Sequence, residues 1–80
     1  MTLNAKALGL AGGVLWGAIM LIMTLLAVWT GYGTAMLNGI ASIYPGYNIG
    51  YLGSLVGLVY GFIDGFIGMF VFAWLYNKFD

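Results

Sequence analysis

The sequence predicts an all-α membrane protein, a hairpin of two transmembrane helices joined by a loop rich in Gly and Tyr. Of its 80 residues, 64% are hydrophobic and only 5% are charged, whereas soluble domains carry about 25% charged residues. Two long apolar stretches show no alternation of apolar and polar residues, which membrane-spanning strands require. Helices satisfy every backbone polar group internally, as lipid demands. The chain, residues 1–80, is therefore a single membrane domain.

The first transmembrane helix is predicted at residues 7–30. This stretch has no charged residue, and at 1.5 Å per residue it is about 36 Å long, enough to cross a hydrocarbon core of about 30 Å. A secretory signal peptide is the competing interpretation, with Lys6 as its basic region. The apolar run is too long for a signal peptide and no small-residue cleavage site follows it, so a permanent helix is favoured.

The second transmembrane helix is predicted at residues 49–76. It is also long enough to span, and it contains one charged residue, Asp64. Gly31 and Gly33 end the first helix, and the pair Pro45–Gly46 marks a turn. The loop at residues 31–48 is long enough to hold a short amphipathic helix lying in the membrane interface, with these apolar residues at helical spacing: Met36, Leu37, Ile40, Ile43 and Tyr44.

Aromatic residues flank both helices, as expected for belts at the two membrane–water interfaces. The belt on the loop side consists of Trp29, Tyr32, Tyr44, Tyr47 and Tyr51, and the other belt consists of Trp74 and Tyr76. Lys6 and Lys78 lie near the termini, and the loop has no positive charge. The positive-inside rule then predicts a multi-pass protein with both termini in the cytoplasm and the loop outside.

Glycines recur every three or four residues in both helices, so they fall on one face of each. Small residues at this spacing let helix backbones approach closely, which is how helices associate in lipid. The pattern predicts helix packing through Gly9, Gly13 and Gly17 in the first helix and through Gly53, Gly57, Gly61, Gly65 and Gly68 in the second. The glycines serve either the hairpin itself or contacts with further chains.

Asp64 falls inside the glycine face of the second helix. Carboxylates are costly in mid-membrane, so we expect a protonated acid that donates a hydrogen bond or a carboxylate that pairs with a partner protein. The indole N–H of Trp16, at comparable depth, is one candidate donor to Asp64; Tyr60, Thr24 and a backbone carbonyl are the other candidate partners. Three roles remain open: an interhelical hydrogen bond, a position in a wet pore or beside a partner's cation, and a proton carrier.

Composition excludes several classes of function. The chain has no Cys and no His, which leaves no thiol chemistry and no zinc site. General acid–base or nucleophilic catalysis needs at least two positioned polar groups, and one carboxyl cannot supply them. No basic cluster is present to attract nucleic acid. We therefore expect a non-enzymatic protein without catalytic residues, metal or cofactor.

Three segments carry a resemblance to a known family: LNAKALGLAGGVLWG at the start, IYPGYNIGYLGSLVGLVYGFIDGFIG in the middle and FAWLYN near the end. Together they resemble a small prokaryotic membrane-protein family described as bacteriophage holin-like or membrane-associated. The resemblance implies self-assembly in the cytoplasmic membrane.

Two functions are consistent with this sequence. In the first, the protein is a holin-like homo-oligomer that assembles through glycine-zipper packing. In the second, it is an accessory structural subunit that packs against the helices of a larger membrane complex. The expected partners are thus the lipid bilayer and either copies of the chain or larger membrane-protein subunits.

Overall fold

The computed structural model describes residues 2–80, and this part of the chain forms three α-helices and no strands. Helix α1 spans Ala5–Thr30, α2 spans Thr34–Ala41 and α3 spans Tyr51–Phe79. Both α1 and α3 are long and apolar enough to cross a membrane. The prediction of an all-helical chain with two helices of membrane length is confirmed, although both helices run past the predicted bounds, α1 at its start and α3 at its end.

Helix α1 begins and ends where local chemistry favours it. The Asn4 side chain accepts a hydrogen bond from the backbone N–H of Ala7 at 3.1 Å, which satisfies one of the free donors of the first turn. At the other end, Gly31 adopts a left-handed conformation with φ 77° and donates its N–H to Ala27. Glycine takes this conformation without a steric cost, so the chain leaves the helix there.

Helices α1 and α3 pack antiparallel at very short range. A Cβ atom placed on Gly61 would lie 2.9 Å from the Cα of Gly17, so the two backbones touch where neither residue has a side chain. At the end of the pair that holds both termini, Leu3 donates its N–H to the Asn77 side chain at 2.6 Å, and Asn77 donates back to the Leu3 carbonyl at 2.8 Å. The two termini therefore lie at the same end of a molecule that measures 44 × 18 × 18 Å.

Residues 31–50, which we call the fold-back segment, include a short helix, as the sequence predicts for the loop, and they fold back against the helix pair. They contain α2 and then a turn at Tyr44–Tyr47, closed by the Tyr47 N–H and the Tyr44 carbonyl at 3.0 Å. Pro45 precedes Gly46, whose φ is 85°, the arrangement that a type II turn requires. This turn points back along the helices.

The fold-back segment packs against α1 and α3 near the loop. Leu37 and Tyr47 are 0% and 5% exposed, and they form a cluster with Met20 and Ala27 of α1. Burying these apolar side chains against the helices is favourable. The molecule thus has a terminal half, in which α1 and α3 touch directly, and a loop half, in which the fold-back segment lies against both.

Candidate functional site at Asp64

Asp64 lies near the midpoint of α3, and its side chain is exposed on the surface of the molecule. The neighbouring positions Ile63 and Ile67 are also exposed, at 51% and 57%. A carboxyl group therefore emerges from an apolar surface, far from both ends of the helix.

The carboxyl group terminates a chain of two hydrogen bonds. The indole N–H of Trp16 donates to the hydroxyl of Tyr44 at 3.3 Å, and that hydroxyl donates to Oδ2 of Asp64 at 2.8 Å. An indole nitrogen can only donate, so the Tyr44 oxygen accepts from Trp16 while its own proton is donated to Asp64. Asp64 accepts through Oδ2, and its Oδ1 accepts no hydrogen bond from residues 2–80.

Tyr44 reaches this depth because the fold-back segment carries it there. Trp16 precedes the end of α1 at Thr30 by fourteen residues, roughly 21 Å along a helix axis. The ring of Tyr44 stacks on that of Tyr60, with centroids 4.8 Å apart, and the Tyr60 hydroxyl donates to the carbonyl of Pro45. Two contacts with α3 therefore hold the tip of the segment in place.

The surroundings of Tyr44 raise the pKa of its hydroxyl. Burial raises the pKa of Tyr44 above its ordinary value, the Trp16 hydrogen bond lowers it, and the Asp64 hydrogen bond and charge raise it again, with a net upward shift. A neutral phenol can donate the hydrogen bond that Asp64 accepts.

A second polar contact fixes the other side of the same turn. The hydroxyls of Tyr47 and Thr24 lie 2.6 Å apart, and Thr24 also donates to the carbonyl of Met20 at 2.7 Å. Thr24 is 0% exposed, and a buried hydroxyl needs partners of this kind. The two tyrosines of the turn thus anchor it at two places: Tyr47 bonds to α1, and Tyr44 bonds to both α1 and α3.

An open groove of about 360 Å³ lies beside Asp64. It follows the line of contact between α1 and α3, and its lining consists of Gly12, Leu15, Trp16, Ile19, Asp64, Gly65, Gly68 and Met69. Trp16 and Asp64 are also the residues that the Tyr44 hydroxyl joins. The groove therefore begins where the fold-back segment ends, and the Asp64 carboxyl is its only charged group.

No basic side chain of this protein reaches Asp64. Its only basic residues are Lys6 and Lys78, and Lys78 lies 5.1 Å above the ring of Trp74 at the terminal end. Lys6 precedes Trp16 by ten residues and Lys78 follows Asp64 by fourteen, which places them roughly 15 Å and 21 Å from the site along the helix axes. The Asp64 carboxyl group therefore accepts a hydrogen bond from its own chain, but no basic side chain of that chain neutralises its charge.

The glycines that the sequence singled out fall into three groups. Gly9, Gly13, Gly17, Gly61 and Gly65 lie where α1 meets α3: added Cβ atoms there would meet the opposite helix, such as the Phe62 carbonyl oxygen at 2.7 Å from Gly13. Gly53 and Gly57 instead face Asn48 and Tyr47 of the fold-back segment. A Cβ atom on Gly68 would meet nothing within 4 Å, because this residue faces the groove.

The aromatic belt on the loop side is smaller than the sequence suggests. Trp29 and Tyr32 remain exposed at 63% and 67%, and the Trp29 indole donates to Tyr51 at 2.9 Å near the loop end. Tyr44 and Tyr47 do not lie with them, because the turn carries both rings into the molecule. Trp74 and Tyr76 are exposed near the terminal end.

Tyr44 is the residue of this candidate site that the sequence analysis assigned elsewhere, to the aromatic belt. The donor to Asp64 is its hydroxyl, and Trp16 reaches the carboxyl group only through it. The sequence YPGY at residues 44–47 indicates this arrangement, since a Pro–Gly turn flanked by tyrosines places two hydroxyls at its tip. Assigning both tyrosines to an interfacial belt concealed that possibility.

The chemistry of the site is that of a single oriented acceptor. No group of three or more His, Cys, Asp or Glu side chains that could hold a metal is found among residues 2–80. The exposed carboxyl oxygen, the Trp16 indole and the apolar groove can accept a cationic group that has an apolar body. Comparison of the chain with protein-family models, curated proteins and solved structures gives no match.

Proposed function

We propose that this protein is a non-enzymatic integral membrane protein that acts by packing against other membrane-spanning helices. Its outer surface supports membrane insertion. Large apolar side chains are exposed along both long helices, with Val14 at 61%, Leu52 at 75% and Phe72 at 53%. Surface of this kind is unfavourable in water and is suited to a bilayer, in which lipid chains solvate it.

The membrane we propose is a prokaryotic cytoplasmic membrane, with both termini in the cytoplasm. The reciprocal hydrogen bonds between Leu3 and Asn77 hold the two ends of the chain together. Lys6 and Lys78 lie at this same end, and the fold-back segment at the other end has no basic residue. Basic residues favour the cytoplasmic side.

The exposed carboxyl group of Asp64 is the observation that carries the proposed packing function. An ionised Asp at the centre of a membrane helix costs about 2.5–3.5 kcal/mol on insertion scales, and the Tyr44 hydrogen bond offsets only part of that cost. Such residues almost always face other helices or a water-filled cavity. Asp64 faces outward from its own chain, which favours a neighbouring chain that covers it.

The position of the lysines favours a neighbour of a different kind, and we conclude that the protein is an accessory structural subunit of a larger membrane complex. In copies inserted in the same orientation, Lys6 and Lys78 stay near the terminal end and bring no cation to Asp64. Most of the glycines are already used within one chain, Gly17 and Gly61 against each other, so they supply little surface for contacts between copies.

A holin-like homo-oligomer is the second candidate function, and the site at Asp64 also favours it in one respect. A ring of identical chains would bring several carboxyl groups to the same depth, and their Tyr44 donors would hold them in register. Such a ring would place Asp64 either at contacts between copies or along a wet path.

Native mass spectrometry of the protein, extracted in mild detergent from the membranes of its source organism, distinguishes these functions. An accessory subunit is expected to appear in a complex with larger, different chains at fixed stoichiometry, and Asp64→Lys should release it. A ladder or ring of 8.6 kDa chains would establish the homo-oligomer instead. A protein that remains monomeric under every mild condition would contradict both.

A further inference from the structure

We propose that the groove beside Asp64 receives a membrane-spanning helix of a different protein, and that this helix places a lysine or arginine opposite the Asp64 carboxylate. The inference rests on the proposed packing function and adds to it the contact surface and the chemistry of the partner. It identifies the groove, and not the glycine face as a whole, as the place where the partner binds.

The shape of the groove fits a helix. On α1 its lining residues lie at positions 12, 15, 16 and 19, and on α3 at positions 64, 65, 68 and 69. This is the spacing of a single helix face in each case, so the two faces form a trough parallel to the helix axes. Gly68 has no side chain to fill the trough, and a Cβ atom there would meet nothing within 4 Å, which lets another backbone approach closely.

The protein itself uses the same line of contact in its loop half. There the fold-back segment lies against α1 and α3, with Leu37 buried completely and Tyr47 almost so. Its tip, Tyr44, touches Trp16 and Asp64, which are the first residues of the groove. The fold-back segment packs against both helices in the loop half. A partner helix in the groove would pack against the same two helices in the terminal half.

The charge at the site selects a basic partner residue. The Trp16 and Tyr44 hydrogen bonds both point toward Asp64 and stabilise negative charge on it. Oδ1 receives no hydrogen bond from the described chain, so it is free to bind an ammonium or guanidinium group. The indole of Trp16 lines the same groove and can contact that cation through its ring.

A second copy of this protein does not meet the requirement, because neither lysine can reach the depth of Asp64 from its position at the terminal end. A further groove of about 420 Å³ on the other side of α3 is lined by Leu55, Val56, Val59, Tyr60 and Ile63. It has no charged group, so it selects no particular partner. Only the groove at Asp64 combines a helix-shaped trough with a charge.

Two synthetic peptides provide the test. Each is a Leu/Ala helix of about 20 residues, enough to span a bilayer, with either Lys or Met at its centre. Binding to the fluorescently labelled full-length protein is measured by energy transfer in phosphatidylcholine vesicles. We expect the Lys peptide to bind about ten-fold more tightly than the Met peptide. The preference should vanish in Asp64→Asn and persist in Asp80→Asn, which removes the same charge from the end of the chain.

A second pair of variants tests the groove without changing charge. Gly68→Leu fills the trough and is expected to weaken binding of the Lys peptide about ten-fold. The protein itself should tolerate the change, since a Cβ atom at this position meets no other atom within 4 Å. Gly39→Leu adds the same side chain at another open glycine, away from the groove, and should have no effect. Circular dichroism of each variant verifies that the helices are intact.

Equal binding of the two peptides to the wild-type protein would overturn the proposal, and so would a Lys preference that survives in Asp64→Asn. The peptide assay is independent of the natural complex. If neither peptide shows the expected binding but larger subunits accompany the protein in the mass spectrum, helix binding at the groove is refuted and the accessory role is retained. A positive peptide result alongside a ring of identical chains would refute the accessory role alone.

Discussion

The two halves of this molecule use the same glycine repeat in different ways. In the terminal half, Gly61 lies against the Gly17 backbone, so two helices meet with almost nothing between them. In the loop half, Gly57 lies against the ring of Tyr47, so the missing side chain accommodates an aromatic residue of the fold-back segment. The difference teaches that a glycine repeat marks space for close packing without specifying what fills the space.

The terminal half should be the less tolerant of added volume. A Cβ atom on Gly61 would lie 2.9 Å from the Gly17 Cα, and backbone cannot move aside as a side chain can. We expect Gly61→Leu to lower the free energy of unfolding by about 3 kcal/mol, measured by circular dichroism during titration of mixed micelles with SDS. Gly39→Leu serves as the control and should cause no loss. Equal stability of the two variants would contradict direct backbone contact.

The loop half should accept the same change at a smaller cost. Leu in place of Gly57 meets the Tyr47 ring, where a Cβ atom would be 2.9 Å from Cε1, and that ring can shift. Gly57→Leu should therefore lower the free energy of unfolding by about 1.5 kcal/mol. Adding Tyr47→Ala should recover part of the loss, because it removes the obstructing ring. Full additivity of the two changes in a double-mutant cycle would show that the residues do not touch.

The polar contact that anchors the fold-back segment should contribute less than its packing. Tyr47→Phe removes the hydroxyl that lies 2.6 Å from Thr24 and leaves the ring in place. Interhelical hydrogen bonds in membrane proteins are worth about 0.6 kcal/mol on average, and a loss of that order is expected in the same SDS titration. Tyr32→Phe, at a residue that is 67% exposed, should change nothing. A loss of several kcal/mol would mean that the hydroxyl, and not the ring, holds the segment.

Asp64 lies at the boundary between the two halves, and replacing it should have the smallest effect on the stability of the isolated protein. In Asp64→Asn the amide oxygen can still accept the Tyr44 hydrogen bond, so the free energy of unfolding should change by less than about 0.5 kcal/mol. Asp80→Asn is the matched control for charge. A loss above about 2 kcal/mol would show that the ionised carboxylate stabilises the single chain, and its role would then be structural.

The sequence alone determined the composition-driven features of this protein. Two apolar runs of membrane length predicted two long helices, because backbone groups in lipid must bond within their own segment. The glycine spacing indicated faces for close packing, and Asp64 stood out because no apolar helix tolerates a carboxyl group without a compensating contact. Each of these features depends on residue types and on their spacing within one segment, so it can be predicted from the sequence of that segment alone.

Only the tertiary structure decided where the loop goes and what Asp64 touches. The turn at Pro45–Gly46 was readable, but its direction depends on whether Leu37 and Tyr47 are buried against α1 and α3 or remain at the interface. That choice is a balance of packing between residues far apart in the chain, which no local pattern encodes. The same folding-back brings Tyr44 to Asp64, so the donor of the site became visible only when the three segments were placed together.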